Sequence, residues 1–326
     1  MSQYTVVVTD HDFADLSIER DGLDDVADVV ELQSGIDGTA TDAHETLAAA
    51  DAVINLRYDL DAAAIDALAD CRVVARYGIG VDNIDVEAAS ARGIPVTNVP
   101  EYCTEEVSVH ALTMYLALAR GLGKYDEDVA AGGWDRGVAT PIHRLSTRTV
   151  GVVGYGAIGR AVGQRAAALG ADVVASDPFL TADDVADDPA TLLEFEELLA
   201  RSDLVTVHSP LTPETRDLFD AAAFERMQES AYFVNVARGP IVDGEALLSA
   251  VDDGAIAGAG LDVFPDEPPS ADDPLRDHDR ILTTPHVAWY SEEANEQRWR
   301  TVTDIVRSAL LGDQIENVVN ADSLPD

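Results

Sequence analysis

The sequence predicts an α/β protein with two doubly wound parallel sheets. Short β-branched runs alternate with helical patterns along the chain, an order that implies parallel strands covered by helices. One strand-to-helix junction carries glycines in the spacing G-x-G-x-x-G, at Gly154, Gly156 and Gly159. We therefore expect a flavodoxin-like domain at residues 1–100 plus 293–326 and a Rossmann-like dinucleotide-binding domain at residues 101–292.

The first block of the chain is predicted to be a complete small α/β unit. Its strands are expected at residues 4–9, 27–32, 52–56, 72–76 and 95–99, and its helices include 41–50, 60–69 and 82–92. Residues 101–121 then form one long helical pattern, which is too long for a simple crossover. We interpret this segment as a helix that links the two domains.

The second block repeats the same alternation. Six strands are expected at residues 151–154, 172–175, 204–208, 231–235, 258–262 and 281–283, with helices that include 160–169, 191–200 and 244–252. Six strands with intervening helices are typical of a doubly wound dinucleotide fold. A final helix is expected at residues 291–311, and it can cross back to the first domain and make that domain discontinuous.

The glycine motif lies in register with its surroundings. A β-branched strand precedes Gly154, an alanine-rich helix follows Gly159, and Asp177 comes at the end of the next strand. In such motifs the first glycine permits a tight turn, the second lets the backbone approach a pyrophosphate, and the third lets helix and strand pack closely. The alternative is a glycine-rich turn that binds nothing, but strand, helix and acid in register favour a dinucleotide site.

The charge balance is extreme. Asp and Glu number 61 against 21 Lys and Arg, which gives a formal net charge of −40, and Lys124 is the single lysine. A field of this sign repels nucleic acids and anionic membranes. Because molar salt shortens the Debye length to about 3 Å and screens self-repulsion, we expect a salt-adapted protein similar to those of extreme halophiles. An acidic protein from a mesophile is the alternative, but it does not explain the near absence of lysine.

Other features of composition narrow the class. Hydrophobic residues make up 47% of the 326 residues, which indicates a globular protein. Cys71 and Cys103 lack C-x-x-C spacing, so we expect neither a disulfide framework nor a metal site. Without a membrane-length apolar run, and with residues 1–12 unlike a signal peptide, a cytoplasmic location is expected.

Three chemically distinctive residues follow strands of the second block. Arg238, Glu267 and His286 each come shortly after a predicted strand end, and in an open parallel sheet this edge is where ligands bind. Taken singly, the arginine fits a surface ion pair, the glutamate a solvated acid, and the histidine a helix cap or a core side chain. Their occurrence together at one sheet edge favours a catalytic set.

The combined motifs resemble those of the D-isomer-specific 2-hydroxyacid dehydrogenases. They are the glycine loop 154–159 with Asp177, the run 235–239, Asp262-Val263-Phe264 with Glu267, Pro285-His286, the loop 76–85 and the junction 98–100. The resemblance covers nearly the whole chain. The run 285–291 is most similar to the branch that contains the C-terminal-binding-protein corepressors.

This resemblance implies the reversible reduction of a 2-keto acid to a D-2-hydroxy acid. Arg238 would bind the carboxylate and polarise the carbonyl, since its planar fork is permanently charged. His286 would donate a proton to the carbonyl oxygen as hydride arrives from the nicotinamide, and Glu267 would orient the imidazole and favour its protonated form.

The resemblance also implies the cofactor contacts, with no metal. The expected residues are Gly154, Tyr155, Gly156, Ala157, Ile158, Gly159, Ser176, Asp177, Pro178, His208, Ser209, Pro210, Thr212, Val236, Ala237, Arg238, Asp262, His286 and Val107. Asp262 would accept a hydrogen bond from the carboxamide. Asp177 favours NAD because a carboxylate binds ribose hydroxyls and repels a 2′-phosphate, although Ser176 and screening by salt leave NADP open as a second cofactor.

Substrate contacts are expected from a separate loop. The expected residues are Arg76, Tyr77, Gly78, Ile79 and Gly80, with Tyr58 and Trp289. The amides of residues 78–80 would bind the carboxylate, and the aromatic rings of Trp289, Tyr58 and Tyr77 would wall a pocket for medium-length aliphatic or aromatic side chains. For Trp289, interdomain packing is the alternative. The resemblance further implies a homodimer joined through the cofactor domain, with closure at residues 98–101 and 285–291.

Two other function classes are open to the same motifs. One is a non-catalytic NAD sensor or corepressor, which the run 285–291 suggests and the net charge and the intact Arg238, Glu267 and His286 disfavour. The other is a different Rossmann dehydrogenase, either L-specific or acting on formate. The Arg-Glu-His order and the leading substrate domain disfavour the L-specific folds, and the formate branch typically carries Gln where Glu267 stands.

Overall fold

A computed structural model describes residues 4–12, 15–32 and 40–325. The chain divides into two compact units, Met1–Tyr102 with Ser291–Asp326, and Cys103–Tyr290. The first unit is therefore discontinuous in sequence, whereas the second is one continuous stretch.

The first unit is built on a five-stranded parallel sheet in the order β2-β1-β3-β4-β5, which is the flavodoxin-like order. Its leading elements are β1 (Tyr4–Val8), α1 (Ser17–Leu23), β2 (Ala27–Glu31), α2 (Ala40–Ala48), β3 (Ala52–Asn55), α3 (Ala62–Ala67), β4 (Val74–Arg76), α4 (Val86–Ala91) and β5 (Val96–Thr97). Apolar side chains such as Val7, Val53 and Ile65 are fully buried in its core. The carboxyl ends of the strands carry the loop that begins at Arg76.

The second unit contains a seven-stranded parallel sheet in the order β12-β11-β10-β9-β6-β7-β8. Its elements are α5 (Thr104–Ala119), α6 (Leu122–Ala130), β6 (Thr149–Val153), α7 (Ala157–Ala168), β7 (Asp172–Ser176), β8 (Ala190–Leu192), α8 (Phe195–Arg201), β9 (Leu204–Val207), α9 (Ala221–Arg226), β10 (Tyr232–Asn235), α10 (Gly244–Asp252), β11 (Gly258–Leu261) and β12 (Ile281–Thr283). The strand order reverses between β6 and β9. Ligands of such sheets bind in the crevice beyond the strand ends at this point.

The chain returns to the first unit through α11 (Glu292–Leu311). Ser291 caps the helix by accepting a hydrogen bond from the amide of Ala294, and Gly312 ends it in the left-handed conformation at φ 77°. The helix predicted at residues 291–311 is confirmed. Its buried face carries Arg298, which is 1% exposed and bonds to Asp12.

Two parts of the second unit differ from the sequence prediction. The helix expected at residues 191–200 begins only at Phe195, because Ala190–Leu192 pairs with β7 and adds a seventh strand. A run of three residues is too short for its alternation to distinguish it from the start of a helix. The long helix expected at residues 101–121 ends at Ala119, because Gly121 takes the left-handed conformation and the chain restarts as α6.

Within the described part of the chain, none of the helices combines the length and the apolar character needed to cross a bilayer. Across the same residues, no group of three or more His, Cys, Asp or Glu side chains is placed to hold a metal ion.

Candidate active site

The glycine loop joins β6 to α7 at the reversal point of the seven-stranded sheet. Gly154 has φ 84°, and a Cβ on Gly159 would lie 2.2 Å from the carbonyl oxygen of Gly154. Only glycine allows this close approach of helix and strand. A Cβ on Gly156 would meet nothing within 4 Å, so the space beside the first turn of α7 is open. Ala157 and Ile158 begin this helix, whose first amides lack helical partners and suit a pyrophosphate.

Asp177 fastens the end of β7 to this loop. Its Oδ2 accepts a hydrogen bond from the amide of Tyr155 at 2.9 Å, and its Oδ1 accepts one from the amide of Phe179 at 3.0 Å. A carboxylate offers about four acceptor positions, so acceptor capacity remains for ribose hydroxyls. Ser176 and Pro178 flank the acid in the same turn, where Ser176 is half-buried and Pro178 is exposed.

The side chain of Tyr155 is buried, so the predicted cofactor contact of this residue is left to its backbone. Its ring is fully buried, and burial raises the pKa of the phenol to about 12. A Cβ on Gly163 would lie 2.8 Å from the phenol oxygen, and the Arg160 guanidinium lies 5.2 Å from the ring centroid. The residue therefore packs under α7 and presents only its backbone to the loop.

The loop after β9 packs directly against the glycine loop. A Cβ on Gly154 would lie 2.6 Å from the amide nitrogen of Ser209. His208 precedes this contact, and its Nε2 lies 3.0 Å from the hydroxyl of Thr206. Burial lowers the pKa of His208 to about 3, so its imidazole is neutral at ordinary pH. Pro210 and Thr212 complete the loop, in a turn closed by Thr215.

The loop after β10 is held by a buried asparagine that the sequence analysis did not assign to the site. Asn235 donates through Nδ2 to the carbonyl of Arg238 at 2.9 Å and accepts through Oδ1 from the amide of Ala237 at 3.0 Å. These bonds fix the backbone that presents the half-buried Arg238, and Val236 is buried in the same loop. The guanidinium of Arg238 also donates to the carbonyl of Ala237 at 2.8 Å.

The loops after β10 and β11 touch at Gly239. A Cβ there would lie 1.7 Å from the carbonyl oxygen of Phe264, a distance that no side chain can occupy. This contact brings Arg238 and the Phe264 to Glu267 turn to the same sheet edge. In the sequence, the residue that indicates this contact is Gly239, which directly follows Arg238.

Glu267 and His286 form a hydrogen-bonded pair. The Nδ1 atom of His286 lies 2.6 Å from Oε2 of Glu267, and Oε1 of Glu267 accepts a hydrogen bond from the amide of Phe264 at 3.0 Å. Burial acts to raise the pKa of Glu267, but the hydrogen bond and charge of His286, the Phe264 amide and the charge of Arg238 outweigh it and lower that pKa. The carboxylate only accepts, so Nδ1 carries a proton and Nε2 is the ring nitrogen that can exchange one.

His286 adopts a strained backbone conformation. Its φ is 52°, a left-handed value that costs a non-glycine residue about 1–3 kcal/mol. Its amide donates to the carbonyl of Asp262 at 2.7 Å, and its carbonyl accepts from the indole Nε1 of Trp289 at 2.9 Å. Backbone and side-chain bonds thus hold the imidazole in one orientation.

Asp262 organises the turn that carries His286. Its carboxylate is 1% exposed and accepts from the Thr284 hydroxyl at 2.5 Å, from the Val287 amide at 2.9 Å and from the Ala288 amide at 2.8 Å. With about four acceptor positions on a carboxylate, at most one remains for the predicted carboxamide bond. The dominant role of this acid in the structure is to hold the turn.

In the first unit, Arg76 lies over its own loop. Its Nε donates to Oδ1 of Asn83 at 2.9 Å, and a Cβ on Gly78 would lie 2.3 Å from Nη1 of Arg76. The amide of Gly78 donates to the carbonyl of Arg76 at 2.9 Å. The predicted anion contact of this loop therefore depends on the amides of Ile79 and Gly80.

The predicted aromatic wall is wrong for Tyr77. Its side chain is 1% exposed, and its hydroxyl donates to Oε1 of the buried Glu19 at 2.5 Å, so the ring cannot line a pocket. Tyr58 is half-buried, and burial raises the pKa of its phenol. Trp289 is half-buried as well, and its bond to the carbonyl of His286 gives it a positioning contact that the sequence did not indicate.

Comparison with known proteins decides the family. Residues 112–288 match the family model for the NAD binding domain of D-isomer specific 2-hydroxyacid dehydrogenases. The chain belongs to this family.

Its relatives within the family share the fold and carry related names. A D-3-phosphoglycerate dehydrogenase from Archaeoglobus fulgidus is 39% identical over 83% of this chain, and a glycerate dehydrogenase from Methylorubrum extorquens is 37% identical over 78% of this chain and 80% of its own length. The crystal structure of a D-lactate dehydrogenase from Aquifex aeolicus with NAD and lactic acid superimposes with a TM-score of 0.86 at 26% identity, covering 94% of this chain and 96% of that one. The chain spans about half the length of the phosphoglycerate dehydrogenases it matches, 51% for the Archaeoglobus protein.

Two further residues near the family motifs escaped the sequence analysis as site residues. Thr284 bonds to Asp262, and His110 of α5 lies 3.0 Å from the Thr284 hydroxyl through its Nε2. Val107, which was expected near the nicotinamide, is buried one turn earlier on the same helix. The signal that could have revealed His110 is a histidine three residues after the predicted cofactor residue Val107, and therefore one helical turn away from it.

Proposed function

We propose that this chain is an NAD-dependent D-2-hydroxyacid dehydrogenase that reversibly reduces a 2-keto acid, with His286 as the proton donor. The observation that supports this most directly is the 2.6 Å bond between His286 and Glu267, beside the charge of Arg238, at the carboxyl edge of the sheet that carries the glycine loop. An acid–base histidine oriented by a carboxylate and accompanied by a fixed cation suits a carbonyl that becomes an alcohol.

Each residue has one task in this proposal. Bound coenzyme supplies the hydride that adds to the carbonyl carbon. Arg238 binds the carboxylate of the keto acid and stabilises negative charge that develops on the carbonyl oxygen. His286 transfers the proton from Nε2 to that oxygen, so the C=O bond becomes C–H and O–H, and in the oxidation direction the neutral imidazole takes the proton back.

The decisive test is NADH oxidation on addition of a 2-keto acid, with the chirality of the product determined. The panel should include the keto acids of glycerate and of 3-phosphoglycerate, because relatives carry those names, beside aliphatic and aromatic ones. His286→Ala is expected to abolish turnover and spare NADH binding. The matched control is His278→Gln, because His278 is a histidine that lies before β12 and pairs with Asp252.

Turnover that survives His286→Ala would overturn the proton-donor assignment. NADH binding by the native chain without turnover of any keto acid would favour the rival role of an NAD sensor.

We propose NAD as the preferred cofactor, with NADP as a second one. Asp177 supports NAD, because its remaining acceptor capacity suits ribose hydroxyls and its charge repels a 2′-phosphate. Screening in salt weakens this repulsion. The comparison of kcat/KM for NADH and NADPH at low and at molar KCl tests the proposal. A ratio that does not change with KCl would remove the charge of Asp177 as the discriminating factor.

For the substrate, we propose a keto acid with a medium-length aliphatic or aromatic side chain. Trp289 remains the aromatic candidate in the second unit, since Tyr77 is buried. Trp289→Ala is expected to change the ranking of keto acids by chain length. Because the indole also bonds to the His286 carbonyl, a uniform loss across the panel would instead assign Trp289 to positioning alone.

We also propose a homodimer joined through the second unit. The segment from α6 to residue 138 exposes Leu122, Val129, Trp134 and Val138, and Trp134 is 90% exposed. Apolar side chains gathered on one exposed segment favour a protein partner. Light scattering after size exclusion tests the state, and Trp134→Glu is expected to shift it to a monomer. A native monomer at micromolar concentration would refute the proposal.

The net charge supports a salt-rich cytoplasm as the place where the protein works. With a formal net charge of −40, the folded chain repels itself in dilute buffer and is relieved of that repulsion in molar KCl.

A further inference from the structure

A histidine outside the predicted catalytic set is connected to the turn that presents His286. His110 lies on α5, its side chain is 24% exposed, and its Nε2 is 3.0 Å from the Thr284 hydroxyl and 3.8 Å from Oδ1 of Asp262. The acid–base chemistry proposed above makes no use of this side chain. Its contacts reach the turn through two intermediates, Thr284 and Asp262.

Hydrogen-bond stoichiometry fixes the direction of this chain of contacts. The carboxylate of Asp262 only accepts, so the Thr284 hydroxyl donates its single proton to Oδ1 at 2.5 Å. The oxygen of Thr284 must then accept from His110. The Nε2 atom of His110 therefore carries a proton, whether the imidazole is neutral or charged.

The same carboxylate then fixes the turn. Asp262 accepts from the amides of Val287 at 2.9 Å and Ala288 at 2.8 Å, while its own carbonyl accepts from the amide of His286 at 2.7 Å. These bonds offset the cost of the left-handed φ of 52° at His286. A rotation of the Asp262 carboxyl group would release these two amides and, with them, the turn that holds the imidazole of His286.

We infer that His110 is a positioning residue, which donates from Nε2 to Thr284 and thereby locks the Asp262 carboxylate that holds the His286 turn. The inference rests on the proposed function for its kinetic consequence. His110 does not touch the reacting atoms in this account. It fixes the orientation of the His286 imidazole. Misplacement of a catalytic group on the order of 1 Å reduces turnover by up to about a hundredfold.

Two substitutions at this position separate positioning from general stability. His110→Leu keeps an apolar volume on α5 but removes the donor, and we expect kcat to fall about tenfold, with KM for NADH and the affinity for NADH unchanged. His110→Gln restores an N–H donor of similar reach, and we expect kcat to return to within about threefold of the native value. His278→Gln serves as the matched control, because this histidine also contacts a carboxylate in the second unit, with Nε2 3.1 Å from Asp252.

The outcomes distinguish this inference from the proposed function. An equal loss of kcat in both His110 variants, or a loss that follows their melting temperatures, would overturn the positioning role. If the native protein turns over no keto acid, the proposed function fails while the hydrogen-bond chain stays testable. In the full chain labelled with ¹⁵N-histidine, Nε2 of His110 should appear protonated, and Thr284→Val should shift its resonance. An unprotonated Nε2 would refute the inference without reference to activity.

Discussion

Replacing Glu267 with glutamine removes the negative charge beside His286 and keeps the shape of the side chain. In the native protein, Oε2 of Glu267 lies 2.6 Å from Nδ1 of His286, and the two side chains are 35% and 37% exposed. In the proposed reaction, reduction of a keto acid draws its proton from the protonated imidazole of His286. Because the carboxylate accepts the Nδ1 proton and stabilises the charged form of the ring, we expect its loss to weaken the proton donor.

The size of the effect follows from the exposure of the pair. A hydrogen bond to a charged group contributes about 1.5–3 kcal/mol when buried, whereas an exposed ion pair contributes about 0.2–1 kcal/mol. A pair that is one-third exposed lies between these limits, at about 1.4 kcal/mol, and this corresponds to a tenfold change in rate. We therefore expect kcat for reduction at neutral pH to fall about tenfold.

The assay is NADH oxidation with saturating keto acid at neutral pH and fixed KCl. Asp266→Asn is the matched control, since Asp266 is the neighbouring exposed acid of the same loop and should leave kcat unchanged. A kcat for Glu267→Gln that stays at the native value would refute the electrostatic reasoning and reduce Glu267 to an orienting role.

The remaining predictions concern stability. Gly239→Ala should destabilise the fold by about 1–3 kcal/mol, because its Cβ would collide with the backbone at Phe264. Gly123→Ala, in helix α6 with open space around it, should instead stabilise the fold by about 0.4–1 kcal/mol in the same urea titration. The native chain should gain stability from dilute buffer to molar KCl, and full stability without salt would contradict salt adaptation. Burial lowers the pKa of His208 from 6.5 to about 3, so the unfolded chain binds a proton at this residue more readily than the folded one. The free energy of unfolding should therefore decline as pH falls from about 6.5 toward 3. His208→Gln should flatten that decline. Because His208 is only half-buried, its remaining contact with solvent reduces the size of this decline. An unchanged slope of unfolding free energy against pH in His208→Gln would show that His208 does not cause the decline.

The parallel architecture followed from the sequence because strand and helix periods are local signals. The elements that were not predicted from the sequence had weak local signals. Ala190–Leu192 became a strand by pairing with β7, a decision made by tertiary contact. The break at Gly121 was hidden because the apolar pattern continues from α5 toward α6 on either side of it.

The site residues divide in the same way into those that local sequence predicts and those whose contacts depend on the fold. Arg238, Glu267 and His286 were predictable as a group, since each follows a strand in one parallel sheet. Burial of Tyr155 and Tyr77 was not predictable, because nothing in a tyrosine's neighbours along the chain tells which face of the backbone it takes. The contacts of Thr284 and His110 depend on atoms brought together across long sequence separations, as the separation of 174 positions between these two residues illustrates.

The discontinuity of the first unit has a consequence for synthesis on the ribosome. Its sheet is translated first, but α11, which contributes the buried Arg298, arrives only after the whole of Cys103–Tyr290. At roughly 5–20 residues per second, this leaves the early strands without their covering helix for on the order of ten to forty seconds. The continuous second unit can complete its own fold during that interval. The nascent first unit therefore depends on its acidic surface, or on chaperones, to avoid association before the last helix emerges.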